Sequence, residues 1–224
     1  MVYVYKIDSK KRRTFFDSLS LNTVFILISV LFFLLIWTLL SAGIISESFF
    51  NNNVAISLEN IKQMRLWTFF TSMFMHGGYL HLFVNMLSLF FVGSLVEKII
   101  GRKRYFWFYI LSGIFASALY LFFELLFPSG LGAVGASGAL FALIGLLVLL
   151  TPNLPVYIMF VPIPIKMKYA APGILLLLWF ISIAGNIPIG NTAHLGGLIA
   201  GLFYGLFLRT KYRNKTSYIR KHFS

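Results

Sequence analysis

The side chains in this sequence best suited to chemistry are one serine, two histidines and an asparagine. Ser137 lies in Gly135-Ala136-Ser137-Gly138, His194 in Ala193-His194-Leu195-Gly196-Gly197, and His81 stands four residues before Asn85. A serine hydroxyl is a weak nucleophile until a neighbouring base takes its proton, which an imidazole does near neutral pH. An Asn amide and an imidazole N–H suit a developing oxyanion, as does the backbone N–H of Ser137. Together they would support acyl transfer. Each also has a plainer reading. Small-x-small triplets such as residues 135–138 occur wherever helices pack closely in a membrane, so Ser137 alone reads as a packing residue. His194, beside Gly196 and Gly197, reads equally as a buried hydrogen-bonding group, and His76 as a loop or interfacial contact. A metal shared by His76, His81 and His194 would find no carboxylate or thiolate at the same depth, so neither metal nor other cofactor is expected.

The elements that must position these residues follow from composition. The chain has 224 residues, 59% hydrophobic and 11% charged, with a mean hydropathy of +0.86. Soluble domains carry about 25% charged residues, so this chain could not cover a soluble surface. Residues 18–46, 66–96, 125–165 and 169–208 carry no Asp, Glu, Lys or Arg, and a spanning helix needs about 20 apolar residues. The expectation is an all-α polytopic membrane protein. The net charge of +13 does not imply nucleic acid, because the cations cluster at the ends of apolar runs as in cytoplasmic loops. With no cysteine, disulfides and a thiol nucleophile are excluded.

The pattern predicts six spans, at about 21–42, 80–96, 105–126, 134–150, 169–184 and 192–208. The first is too long for a signal-peptide core and lacks a clear cleavage site. Residues 1–20 form an N-terminal segment, 21–208 the membrane domain and 209–224 a basic tail. Residues 47–65 form a polar outer segment, 66–75 an interfacial stretch and 97–104 a charged turn. Six spans put both termini on one side. Of the 19 Lys and Arg residues, only Lys62 and Arg65 then fall on the other. The positive-inside rule therefore places both termini in the cytoplasm. With that orientation the second, fourth and sixth spans enter from the outer face. His81 with Asn85, Ser137 and His194 then come at similar depth, about 5 to 10 Å in at helical rise. Ionisable residues within spans are costly and usually face a bundle interior or wet cavity. Convergence of these groups is a site hypothesis: Ser137 as nucleophile, His194 as base, His81 and Asn85 as donors. No acidic residue is placed to orient His194, so the reading is a dyad. Gly197, Gly201 and Gly205, spaced by four, form a ridge that lets the sixth span approach another helix, such as the fourth at Gly138 and Gly145.

These pieces resemble the rhomboid intramembrane serine proteases. The matching residues are Gly135-Ala136-Ser137-Gly138, His76-Gly77-Gly78-Tyr79-Leu80-His81 with Asn85, Gly93-x-x-x-Glu97-x-x-x-Gly101, and Ala193-His194-Leu195-Gly196-Gly197. They run in family order over about residues 67–205. The resemblance implies a six-span rhomboid-like bundle, with Ser137 as nucleophile, His194 as general base, and His81 and Asn85 as oxyanion donors. It implies cleavage of single-span membrane proteins near the outer face of a cell membrane. Two positions depart from the usual pattern. Thr68 follows Trp67 where many members have Arg, leaving Arg65 as the substitute. Phe141 stands where many have Tyr packing on the histidine. Residues 47–76 look like the family's partly embedded first loop, and 185–191 like the loop that caps the site. The rival readings are a non-catalytic binder of transmembrane helices on the same fold and a small-molecule transporter. The transporter would need polar groups in the inner halves of the spans, where none is seen.

Overall fold

The computed structural model describes residues 19–158 and 162–223. The expected N-terminal segment, apart from Leu19 and Ser20, therefore lies outside the described residues. Helix α1 (Leu21–Ser41) is capped by Ser20, whose hydroxyl accepts the Thr23 N–H at 3.0 Å. Three short helices follow: α2 (Glu47–Asn53), α3 (Leu58–Lys62) and α4 (Thr68–Phe74). Helix α5 (Tyr79–Ile100) contains one wide π turn at Leu89–Gly93. Then come α6 (Arg102–Leu126), α7 (Ser137–Leu150) and a minimal antiparallel pair, β1 (Pro155–Val156) and β2 (Ile165–Lys166). Helices α8 (Met167–Gly185), α9 (Asn191–Lys211) and α10 (Arg213–His222) complete the chain.

Five helices, α1, α5, α6, α8 and α9, are long and apolar enough to cross a membrane. The protein is a multi-pass, all-α membrane protein. The expected fourth span is shorter than the rest. It begins at Ser137 rather than near residue 134, and its 14 residues reach only about 21 Å, against a hydrocarbon thickness of about 30 Å. The reason is local. Gly135 adopts φ +140°, outside any helix, and its N–H donates to the Ser72 carbonyl at 2.8 Å. That bond ties the segment to α4 instead of to a further helical turn. Two other boundaries also differ from expectation. Glu97, expected in a turn, lies inside α5, which runs on to Ile100 with only Gly101 before α6. The tail expected after residue 208 is mostly helical, as the end of α9 and α10.

Helix α7 is the core. Nearly all its side chains are buried, and α9 lies directly against it. A Cβ at Gly197 would collide with the Gly138 carbonyl, and one at Gly201 with the Ala142 carbonyl. The glycine ridge brings the two backbones into contact, the role small residues play between membrane helices. The buried residues of helix α8, Met167, Ala170, Ala171 and Leu175, all lie in its first half. Its Phe180 and Ile183 are exposed.

A polar knot fastens α1 to the bundle. The Glu97 carboxylate accepts the Leu21 and Asn22 N–H groups at 2.9 and 2.8 Å, a favourable place for an anion at a helix N-terminus. Asn22 is fully buried. Its amide donates to the Leu89 carbonyl at 2.9 Å, inside the π turn, and to Ser94 Oγ at 3.0 Å. The Tyr105 hydroxyl donates to Asn22 Oδ1 at 2.7 Å. A Cβ at Gly93 would strike that amide, so glycine is needed there for close approach. Asn22→Ala leaves these buried partners unsatisfied and is expected to lower stability by about 3 kcal/mol, read as a fall in the thermal unfolding midpoint in detergent.

The first loop is held from within and from below. Asn60, buried, donates to the carbonyls of Asn51 and Ala55 at 2.7 and 2.8 Å. Arg65 Nη1 reaches Asn60 Oδ1 at 3.1 Å and the Asn52 carbonyl at 3.3 Å. The Trp67 indole donates to the Asn53 carbonyl at 3.2 Å, and the Thr68 hydroxyl to that of Arg65 at 2.7 Å. Arg65 thus ties two parts of the loop together, and Thr68 closes the turn after it. Ile56 and Ala133 exchange backbone hydrogen bonds at 3.0 and 2.9 Å, which joins this loop to the segment leading to Ser137.

Candidate active site

Ser137 is the first residue of α7, and His194 lies one turn into α9. The ridge contact at Gly197 and Gly138 brings the two helices together one turn away, and Ser137 Oγ lies 2.8 Å from His194 Nε2. For the serine to donate, Nε2 must carry the lone pair and Nδ1 the proton. His194 is buried, and Ser137 is half-buried at the mouth of the site. Phe141, one turn after Ser137 on the same helix face, stacks on the imidazole with centroids 4.7 Å apart and planes 18° apart. The stacking needs no hydroxyl, so phenylalanine serves where tyrosine is usual.

The candidate donors lie on the elements beside the serine. Being at the start of α7, Ser137 has a backbone N–H with no acceptor inside the helix. His81 faces Gly135: a Cβ there would stand 3.0 Å from His81 Nε2 and 3.4 Å from Ser137 Oγ. The backbone N–H of Gly77 donates to His81 Nδ1 at 3.3 Å. That acceptor role leaves the proton on Nε2, the nitrogen turned toward Gly135. Asn85, buried, spends one amide hydrogen on the His81 carbonyl at 2.8 Å, and the second remains for another acceptor. Gly138 packs against Ala116 of α6. Ser137, His194, His81 and Gly135 are thus brought together, while Asn85 is anchored one turn deeper on α5.

His76 was expected as a loop contact and is more than that. It is wholly buried behind the segment before α7, with Nε2 3.5 Å from the Ala136 N–H and its ring edge-on to His81 at 5.1 Å. Burial, with His81 beside it, pushes its pKa down to about 3, so it stands there as a neutral wedge. Sequence spacing alone could not place it, because the contact is 60 residues away along the chain. Asn191 was also missed. It opens α9 three residues before His194, and both side chains are buried; the i, i+3 spacing was the available signal. Among the described residues no group of three or more His, Cys, Asp or Glu is placed to share a metal ion.

The arrangement can activate a hydroxyl, receive its proton and stabilise an oxyanion. Comparison with known proteins gives the family. Residues 63–211 match the family description "Rhomboid domain". The chain is 30% identical over 188 residues to "RHOMBOID-like protein 12, mitochondrial" of Arabidopsis thaliana, covering 76% of this chain and 55% of that one. It is 36% identical over 167 residues to "RHOMBOID-like protein 2" of the same plant, covering 70% and 49%. It is also 34% identical over 138 residues to "Inactive RHOMBOID-like protein 8", covering 60% and 36%. The chain therefore spans about half the length of such relatives, or less. With the domain match extending from within the first loop through α9, the chain belongs to the rhomboid family.

Proposed function

We propose that this protein is an intramembrane serine endopeptidase that cleaves single-span membrane proteins. The observation that carries the reading is the 2.8 Å contact between Ser137 Oγ and His194 Nε2 at a helix start that offers a free backbone N–H. Ser137 Oγ attacks the scissile carbonyl while His194 Nε2 takes its proton. The Ser137 N–H, His81 Nε2–H and Asn85 amide stabilise the oxyanion. The intermediate collapses to an acyl-enzyme as His194 returns the proton to the leaving amine, and water then releases the acyl group by the reverse sequence. The substrate helix must unwind locally, and unwound backbone in lipid lacks partners, so substrates should carry helix-weakening residues near the cut. By the positive-inside rule both termini lie in the cytoplasm and the site opens toward the outer face of a cell membrane.

Labelling the purified protein with a serine-directed fluorophosphonate tests this reading. Modification mapped to Ser137 is the expected result, and an unreactive Ser137 in the folded protein overturns it. A second reading, a non-catalytic binder of transmembrane helices, has its support in the relative named inactive at 34% identity; it predicts no labelling and retained binding in Ser137→Ala. Among the donors, His81→Ala is expected to lower kcat about 100-fold or more with KM little changed. Steady-state cleavage of a single-span test protein in liposomes measures it.

A further inference from the structure

The dyad leaves one question of chemistry open: what holds the imidazole. If His194 Nε2 accepts from Ser137, Nδ1 bears a hydrogen, and that atom is buried with no partner in the chain. A buried N–H without an acceptor is unfavourable, and more so once the ring becomes an imidazolium. In serine hydrolases with a triad a carboxylate takes this role. Among the described residues the acids are engaged or far away. Glu97 caps α1, and Glu124 accepts from Ser129 N–H and Oγ at 3.0 and 2.7 Å. Glu47 and Glu59 sit in the first-loop helices.

One acceptor does stand on the right helix face. Asn191 precedes His194 by three residues in α9, so their side chains are neighbours, with Cβ atoms about 5–6 Å apart. Asn191 is 5% exposed and His194 6%. Asn191 Oδ1 is, like His194 Nδ1, a buried atom with no partner in the chain. A donor and an acceptor, both buried and unsatisfied, lie one turn apart on the same helix. The Asn191 backbone is fixed in turn by its N–H, which donates to the Ile189 carbonyl at 2.7 Å. Building on the serine-protease reading above, we infer that Asn191 is a positioning residue for the general base. Its amide oxygen accepts a hydrogen bond from the His194 Nδ1–H, through one water or after a small turn of the Asn191 side chain, and so keeps the Nε2 lone pair turned toward Ser137. A neutral amide suits the place, since it supplies an acceptor without burying a second charge.

The test uses the full chain in liposomes, with cleavage of a single-span test protein and the rate of fluorophosphonate reaction at Ser137 as readouts. Asn191→Ala is expected to lower kcat about tenfold, the worth of one net hydrogen bond, with KM unchanged and labelling slowed by the same factor. Asn191→Leu keeps the branched shape and the number of heavy atoms, removes the acceptor and gives the same loss; it stands in if the alanine variant does not fold. Asn191→Asp restores most of the rate, because it returns an oxygen to the same position. The inference is overturned if alanine and leucine variants react at the wild-type rate, if aspartate is no better than alanine, or if the loss falls in KM or thermal stability alone. Failure of wild-type Ser137 to label would instead remove the protease reading itself, so the two failures are distinguishable.

Discussion

Ser137→Ala, His194→Ala and the double variant are expected to lose the same activity, by a factor of about 10⁶ in kcat. The equality matters as much as the size. In the proposed mechanism Oγ and Nε2, 2.8 Å apart, act as one proton-transfer unit, and removing either partner disables the whole, so the double variant costs no more than each single one. Ser137 is half-buried and tolerates a smaller side chain, so the alanine variant should keep its thermal unfolding midpoint. His194→Ala vacates the ring that stacks on Phe141 and should lose a further 3 kcal/mol or so in stability. Time courses of cleavage in liposomes, with thermal unfolding of the same preparations, measure both. Cleavage by Ser137→Ala at the wild-type rate would sink the proposed chemistry. Additive losses would mean that the two residues do not act together.

The second large effect is structural and reaches the site through the backbone. Gly197→Ala places a methyl where the Gly138 carbonyl already stands. The obstacle is main chain, with no rotamer to move aside, so α9 must shift away from α7. Overpacking of this kind costs about 3 kcal/mol or more. The same shift separates His194 from Ser137, so cleavage falls even in molecules that remain folded. Gly173→Ala is the matched control, because a Cβ there meets nothing within 4 Å. In the middle of α8 it is expected to be neutral or to stabilise by about 0.5 kcal/mol, with cleavage unchanged. Equal behaviour of the two alanine variants in thermal unfolding would show that the ridge is not a tight contact.

Much of this was legible in the chain itself, and the exceptions are instructive. Charges and apolar length located α1, α6, α8 and α9 to within a few residues, because in a bilayer those two properties set where a helix can end. The same logic misplaced the start of α7. Val134, Gly135 and Ala136 are apolar or small and read as helix, yet a single positive φ at Gly135 and its bond to the Ser72 carbonyl delay the helix to Ser137. Glu97 was read as a turn residue because it is charged. Its partners, the N–H groups of Leu21 and Asn22, lie 76 and 75 residues away, and no local pattern announces such a bond. In the site, Ser137, His194 and His81 were legible because their depth could be counted along helices. His76 and Asn191 were not. One acts from a loop with no period to count, and the other looked like the end of a loop until α9 was seen to begin there.

The backbone contact between α7 and α9 has a mechanical consequence. A distance set by side chains varies as they change rotamer, whereas one set by carbonyl against Cα is stiff. Lateral pressure from the lipid acts first on the outer helices, such as α8, whose buried residues all lie in its first half. The spacing between nucleophile and base is gauged by main-chain atoms at the centre and is shielded from that load. For the protease proposed above, changes in lipid thickness or tension are therefore expected to alter how often a substrate reaches Ser137 and to leave the bond-breaking step at its own rate.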